Sequence, residues 1–136
     1  MLSPQEKLRL VFNEYRKSIQ KEEYTAPMFI LSEPESYIGA RSDKNTLVII
    51  DASPNPSIPV FYDRVDLSQW APMTAYRGTH TQLKQILPQL NKRYFGIAFT
   101  EYDFEPRSFT ASDTSFTLTA TNRNLLFTGS CTVQLK

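Results

Sequence analysis

Glycine is scarce, with four in 136 residues. They are too widely spread to build a Gly-rich phosphate loop. Cysteine and histidine occur once each. That excludes an internal disulfide framework and an ordinary zinc site. Net charge is nearly absent, at +1, so the charge balance gives no reason to expect binding to nucleic acid or a membrane surface. No apolar run approaches the ~20 residues of a membrane helix. The opening MLSPQEKLRL lacks the apolar core of a secretory signal. The expectation from these absences is a protein made in a reducing cytosol. No metal, cofactor or small-molecule substrate is expected.

What is present is ordinary globular composition. Hydrophobic residues at 40% and charged residues at 21% rule out wholesale disorder and collagen-like structure. The length gives room for one domain or two very small ones.

The chain opens on a helix signal. Ser3, Pro4 and Glu6 have capping-box spacing with proline at the first helical position. Leu8, Val11, Phe12, Tyr15 and Ile19 follow as one apolar stripe. The helix is expected to end at 21–23. PMFIL then reads as a strand, 33–45 as a loop containing Gly39 and Asp43, and LVII at 47–50 as a strand. The turn SPNPSIP at 53–59 carries three prolines, which do not fit inside a sheet ladder. VFYDRVDL at 60–67 resumes a strand, and 68–78 reads as an ordered connector holding Trp70, Met73 and Tyr76.

A second helix is expected from Thr79, with Thr79 and Gln82 as its cap and Leu83, Ile86, Leu87, Leu90 and Tyr94 as its stripe. Pro88 conflicts with it. FTEYDF, SFTLTA and LLFTGSCTVQL read as strands, the last two a hairpin joined by TNRN. Alternation puts Cys131 on one face with Val133 and Leu135, as a buried inert thiol.

The two halves echo each other. The first helix stripe maps residue by residue onto the second. Glu33, Pro34 and Ser36 recur as Glu105, Pro106 and Ser108, and Val48, Ile50 and Ala52 as Phe116, Leu118 and Ala120. Two unrelated α–β–β stretches remain the alternative, but the common order favours duplication. The expected fold is α+β: two repeated helix-plus-antiparallel-strand modules, 1–67 and 79–136, joined by 68–78 and packed into one compact unit.

These strings resemble a module of virion structural proteins from large-genome contractile-tailed bacteriophages. The resemblance lies in Gly78-Thr79-His80-Thr81, the Leu-Pro-x-Leu-Asn helix end at 87–91, the acidic stretch 101–103, FTLTA at 116–120 and TGSCTV at 128–133. FYDRVDL at 61–67 is similar to the string that ends such modules, and is the sharpest piece. The Pro-rich turn at 53–59 and the acidic loop at 33–35 depart from the pattern. The resemblance implies particle architecture rather than chemistry. On that basis the expected role is a non-enzymatic component of a tailed-phage virion, in tail, neck or baseplate. It would be present in multiple copies against other virion structural proteins, after assembly in the host cytoplasm. The alternative is a small cytosolic adaptor or inhibitor module with one protein partner.

No residue set demands catalysis. His80 falls in the first turn of the second helix, where a solvent-facing residue is expected. Asp63 and Asp66 face opposite sides of a strand and cannot form an acid–base pair, while Arg64 and Asp66 share a face and suit either an edge or an intermolecular ion pair. Glu101, Asp103 and Glu105 share a strand face, read as a solvated acidic surface rather than a calcium site. The candidate interface residues are Tyr62, Arg64, Asp66, Trp70 and Tyr76. The competing reading is that the connector aromatics cap the chain's own core.

Overall fold

Local chemistry sets the first helix where its cap predicts. In the computed structural model, which describes residues 1–37, 44–51, 56–70 and 72–136, α1 spans Pro4–Ser18 and Ser3 accepts a hydrogen bond from the Glu6 amide at 3.2 Å. Glu6 does not reach back to Ser3. It pairs with Arg9 one turn on. The helix ends at Ser18, short of the expected 21–23, and Gln20 then takes a left-handed conformation at φ 58°.

The described residues divide into two compact units, Leu2–Asp63 and the stretch from Arg64 onward, Arg64–Lys136. The architecture is α+β, with one helix and antiparallel strand pairing in each.

In the N-terminal unit, β1 (Ile30–Leu31), β2 (Glu35–Ser36) and β4 (Ile58–Tyr62) all pair antiparallel with β3 (Thr46–Asp51). Val48 and Ile50 point inward and are fully buried, and Ile50 clusters with Phe29 and Tyr24. The PMFIL run is not one strand. A 3₁₀ turn at Ala26–Met28 precedes β1. Pro59 does enter the ladder, opposite Ile49, contrary to the expectation that the prolines lie outside it. Among the described residues β4 bonds only to β3, and an edge strand tolerates a missing N–H. The expected loop residues 38–43 and turn residues 52–55 lie outside the described residues.

The stripe of α1 is not buried as a whole. Leu8 is buried and Phe12 half-buried, but Val11, Tyr15 and Ile19 are 52%, 63% and 42% exposed. Polar bonds turn the helix away from its apolar axis. Asn13, itself buried, accepts from the Tyr24 amide at 2.7 Å and donates to the Tyr24 carbonyl at 3.0 Å. Arg9 donates to that same carbonyl, and Gln5 to the Phe29 carbonyl. A buried amide must be paired, so the side carrying Asn13 goes inward and the far edge of the stripe comes out.

In the C-terminal unit, β9 (Ser130–Leu135) is central. It pairs antiparallel with β7 (Ser115–Thr119) and parallel with β6 (Met73–Ala75). Cys131, Val133 and Leu135 are inward, as their alternation predicts. β6 lies inside the stretch read as a connector. β5 (Val65–Asp66) pairs parallel with β8 (Phe127–Thr128). The expected strand 60–67 is therefore broken at Asp63 and Arg64, and its two ends belong to different units.

α2 (Leu83–Leu90) buries Leu83, Ile86, Leu87 and Leu90. It starts later than expected. The Thr81 and Gln82 amides both donate to Gln85 Oε1, at 3.0 and 3.1 Å, which closes the N-terminus without Thr79. Pro88 stays inside the helix, which then loosens into a π-helical turn, Asn91–Phe95. Gly96 ends that turn at φ 66°, a conformation glycine adopts without strain.

Candidate functional site

FTEYDF is not a strand. Glu101–Asp103 form a 3₁₀ turn, and Asp103 Oδ2 accepts from the Thr100 amide at 2.8 Å and from the Thr100 hydroxyl at 3.3 Å. The three carboxylates therefore do not line one strand face. Burial raises the Asp103 carboxyl above its ordinary value, and the bonds from Thr100 only partly oppose this. Among the described residues no group of three His, Cys, Asp or Glu is placed to hold a metal ion. His80 sits in the turn before α2, half-buried, with its backbone amide on the Arg77 carbonyl. Cys131 is buried in β9, and burial raises its thiol.

Of the five candidate interface residues, Tyr62 belongs to the N-terminal unit and the other four to the C-terminal unit. Tyr62 ends β4, half-buried, in the N-terminal unit. Arg64, Asp66 and Trp70 meet around the 122–129 segment of the C-terminal unit. Arg64 is 7% exposed, and its Nη1 donates to the Asn124 carbonyl at 3.1 Å. It and Asp66 do not form the expected shared charged face, since Asp66 turns to cap the Ser68 amide at 2.9 Å. Gly129 sits at φ 75°, where other residues are strained, and a Cβ there would push aside the Asp66 carboxylate. Trp70 packs edge-on to Phe127 at 5.5 Å and to Phe95 at 5.6 Å. Its ring lies against the chain's own core, the competing reading for the connector. Tyr76 is 69% exposed, and a two-way amide clamp with Gln89 holds its backbone.

A different surface stands out in the N-terminal unit. Directly opposed antiparallel residues share a face. Leu47 faces Phe61, Ile49 faces Pro59, and Ile30 lies beside Asp51. All lie on the side of β3 opposite buried Val48 and Ile50. Ile30, Ile49 and Phe61 are 58%, 42% and 40% exposed, and the Tyr37 ring rests on Phe61 at 4.7 Å. The signal for this face was present in the sequence. LVII is apolar at every position, the pattern of a strand covered on both sides, and only one side is covered here by buried core.

A family model described as "Family of unknown function (DUF7941)" matches residues 6–136. The chain belongs to this family. The match extends through both compact units. No curated protein and no solved structure matches the chain. Family membership assigns no activity. Among the described residues, no helix is long and apolar enough to cross a membrane.

Proposed function

We propose that this protein is a non-enzymatic structural component of a tailed-bacteriophage virion, in tail, neck or baseplate. It works in multiple copies through contacts with other virion structural proteins. The observation that carries this reading is the outward apolar face of β3 and β4, where Ile49 and Phe61 stand exposed beside Ile30. Contiguous exposed apolar groups on a sheet are characteristic of surfaces that bind another protein. The phage resemblance of 61–67 and 78–133 supplies the kind of assembly.

The duplication belongs to the same proposal, at the level of a helix followed by an antiparallel strand pair. Each unit supports it with one helix and one such pair, β3 with β4 and β7 with β9. The registers differ. Val48 pairs with Val60, whereas Phe116 pairs with Val133.

The test is an Ile49→Asp, Phe61→Asp double variant supplied in trans during phage assembly. Both side chains are already solvent-facing, so the variant is expected to fold and to be excluded from particles. Incorporation at the wild-type level would overturn the reading.

A further inference from the structure

Along α2 the C-terminal unit carries a cleft that the interface reading does not use. It has two compartments, of about 440 and 290 Å³, which share Lys84 and Glu101. It runs from Gln82 at the start of α2 to Asn91 just past its end. At 1.5 Å per helical residue that is roughly 13 Å, the length of about four extended residues. Leu83, Leu87, Phe99 and Phe104, all buried core residues, form its apolar floor.

Two features make this more than a surface dent. Asn91 is only 8% exposed, and its Nδ2 donates to the Phe99 carbonyl at 2.9 Å. Its Oδ1 has no partner among the described residues and is itself closed to solvent, while Asn91 lines the smaller compartment. A buried acceptor of this kind calls for a donor. Pro88, also lining that compartment, has no N–H, so the Lys84 carbonyl four residues back receives no helical bond from that position. Residues 84, 88 and 91 lie on one helical face. The residues along this wall thus include one buried acceptor without a donor, at Asn91, and one carbonyl without its helical bond from position 88, at Lys84. Its exposed charged rim carries Lys84 and Arg107 against Glu101, a surplus of positive charge. Arg107 is anchored by Nε on the Thr117 carbonyl at 3.1 Å.

We propose that this cleft is a docking site for an extended segment of a protein partner, carrying an acidic side chain beside apolar ones. A backbone N–H of the segment meets Asn91 Oδ1 once that amide turns out toward the cleft. Its apolar side chain lies over Leu83 and Phe104, and its carboxylate meets Lys84 and Arg107. An extended peptide supplies all three at the spacing the cleft has. The occupant does not depend on the virion reading.

The experiment selects an mRNA-displayed library of random decapeptides on the immobilised full chain. Enriched peptides are then titrated against 15N-labelled wild type and a Lys84→Ala, Arg107→Ala variant. Both side chains are exposed, so the variant is expected to keep the fold. The expected result is a consensus of one Asp or Glu flanked by apolar residues. Titration should shift the Asn91 side-chain amide and the Thr100 amide. Affinity should fall about fivefold or more in the variant, since losing two rim charges removes attraction without disturbing the floor. No consensus, a basic consensus, or an affinity unchanged by the variant overturns the proposal. So does self-association that the variant abolishes in the absence of a consensus, which would assign the cleft to a second copy.

Discussion

Asn124 is fully buried, and its side chain organises the return from β7 to β9. Its Oδ1 accepts from the Leu126 amide at 3.1 Å and the Phe127 amide at 2.8 Å, and its Nδ2 donates to the Asp103 carbonyl at 3.0 Å. Asn124→Ala removes all three bonds at once. The Phe127 amide is buried, so leaving it unpaired costs about 2 kcal/mol. The Leu126 amide and the Asp103 carbonyl are only part-buried, and water recovers some of their bonding, so each adds ~0.5–1 kcal/mol. The expected loss is about 3–4 kcal/mol. Asn124→Asp retains the acceptor and loses the donor, so it separates the amide bonds from the carbonyl bond. Urea denaturation followed by Trp70 fluorescence reports this unit, because Trp70 packs on Phe127. A loss below ~0.5 kcal/mol for Asn124→Ala would refute the reasoning, since that is the scale of an ordinary surface substitution.

Trp70→Ala is expected to destabilise the C-terminal unit by about 2–3 kcal/mol, below the value for a fully buried Trp because the ring is half-buried. Tyr76→Ala should stay within ~0.5 kcal/mol, and urea titrations monitored by circular dichroism compare the two. Cys131 should react with a thiol reagent at pH 8 at least about a hundredfold more slowly in the folded protein than in denaturant, because it reacts only through opening. Fast labelling of the native chain would contradict its placement. Asp103 has its carboxyl raised from 3.8, chiefly by burial, so the folded state holds the proton more tightly than the unfolded chain. Its contribution to stability is present in full below pH 3.8 and is lost as pH rises through the raised folded value. Asp103→Asn should flatten that part of the stability–pH curve, read from urea midpoints.

Much of the local structure was legible because it rests on local rules. Ser3 with Pro4 set the start of α1, alternation set β9 and its buried Cys131, and the apolar stripe carried α2 through Pro88. Most of the failures share one cause, which is that distant partners decide, and FTEYDF is the exception. β6 is three residues long and exists because β9 bonds to it, so no periodicity announces it. FTEYDF alternates like a strand, but Thr100 and Asp103 bond locally and close a turn instead. The α1 stripe points partly outward because Asn13 binds Tyr24, eleven residues away. Among the candidate residues, sequence gave no sign that Arg64 would be buried on the Asn124 carbonyl. The exposed face of β3 was encoded in LVII, whose unbroken apolar run asks for a cover on both sides. The α2 cleft depends on Asn91 and the Pro88 gap, and neither has meaning until the helix and the 97–108 segment are placed side by side.

The virion assignment is tested most directly by quantitative mass spectrometry of purified phage particles from the source of this sequence, with heads and tails separated. The account predicts the chain at a fixed multiple of a known ring component, in the tail-containing fraction. Its absence from particles, with abundance in the cell, would contradict the account.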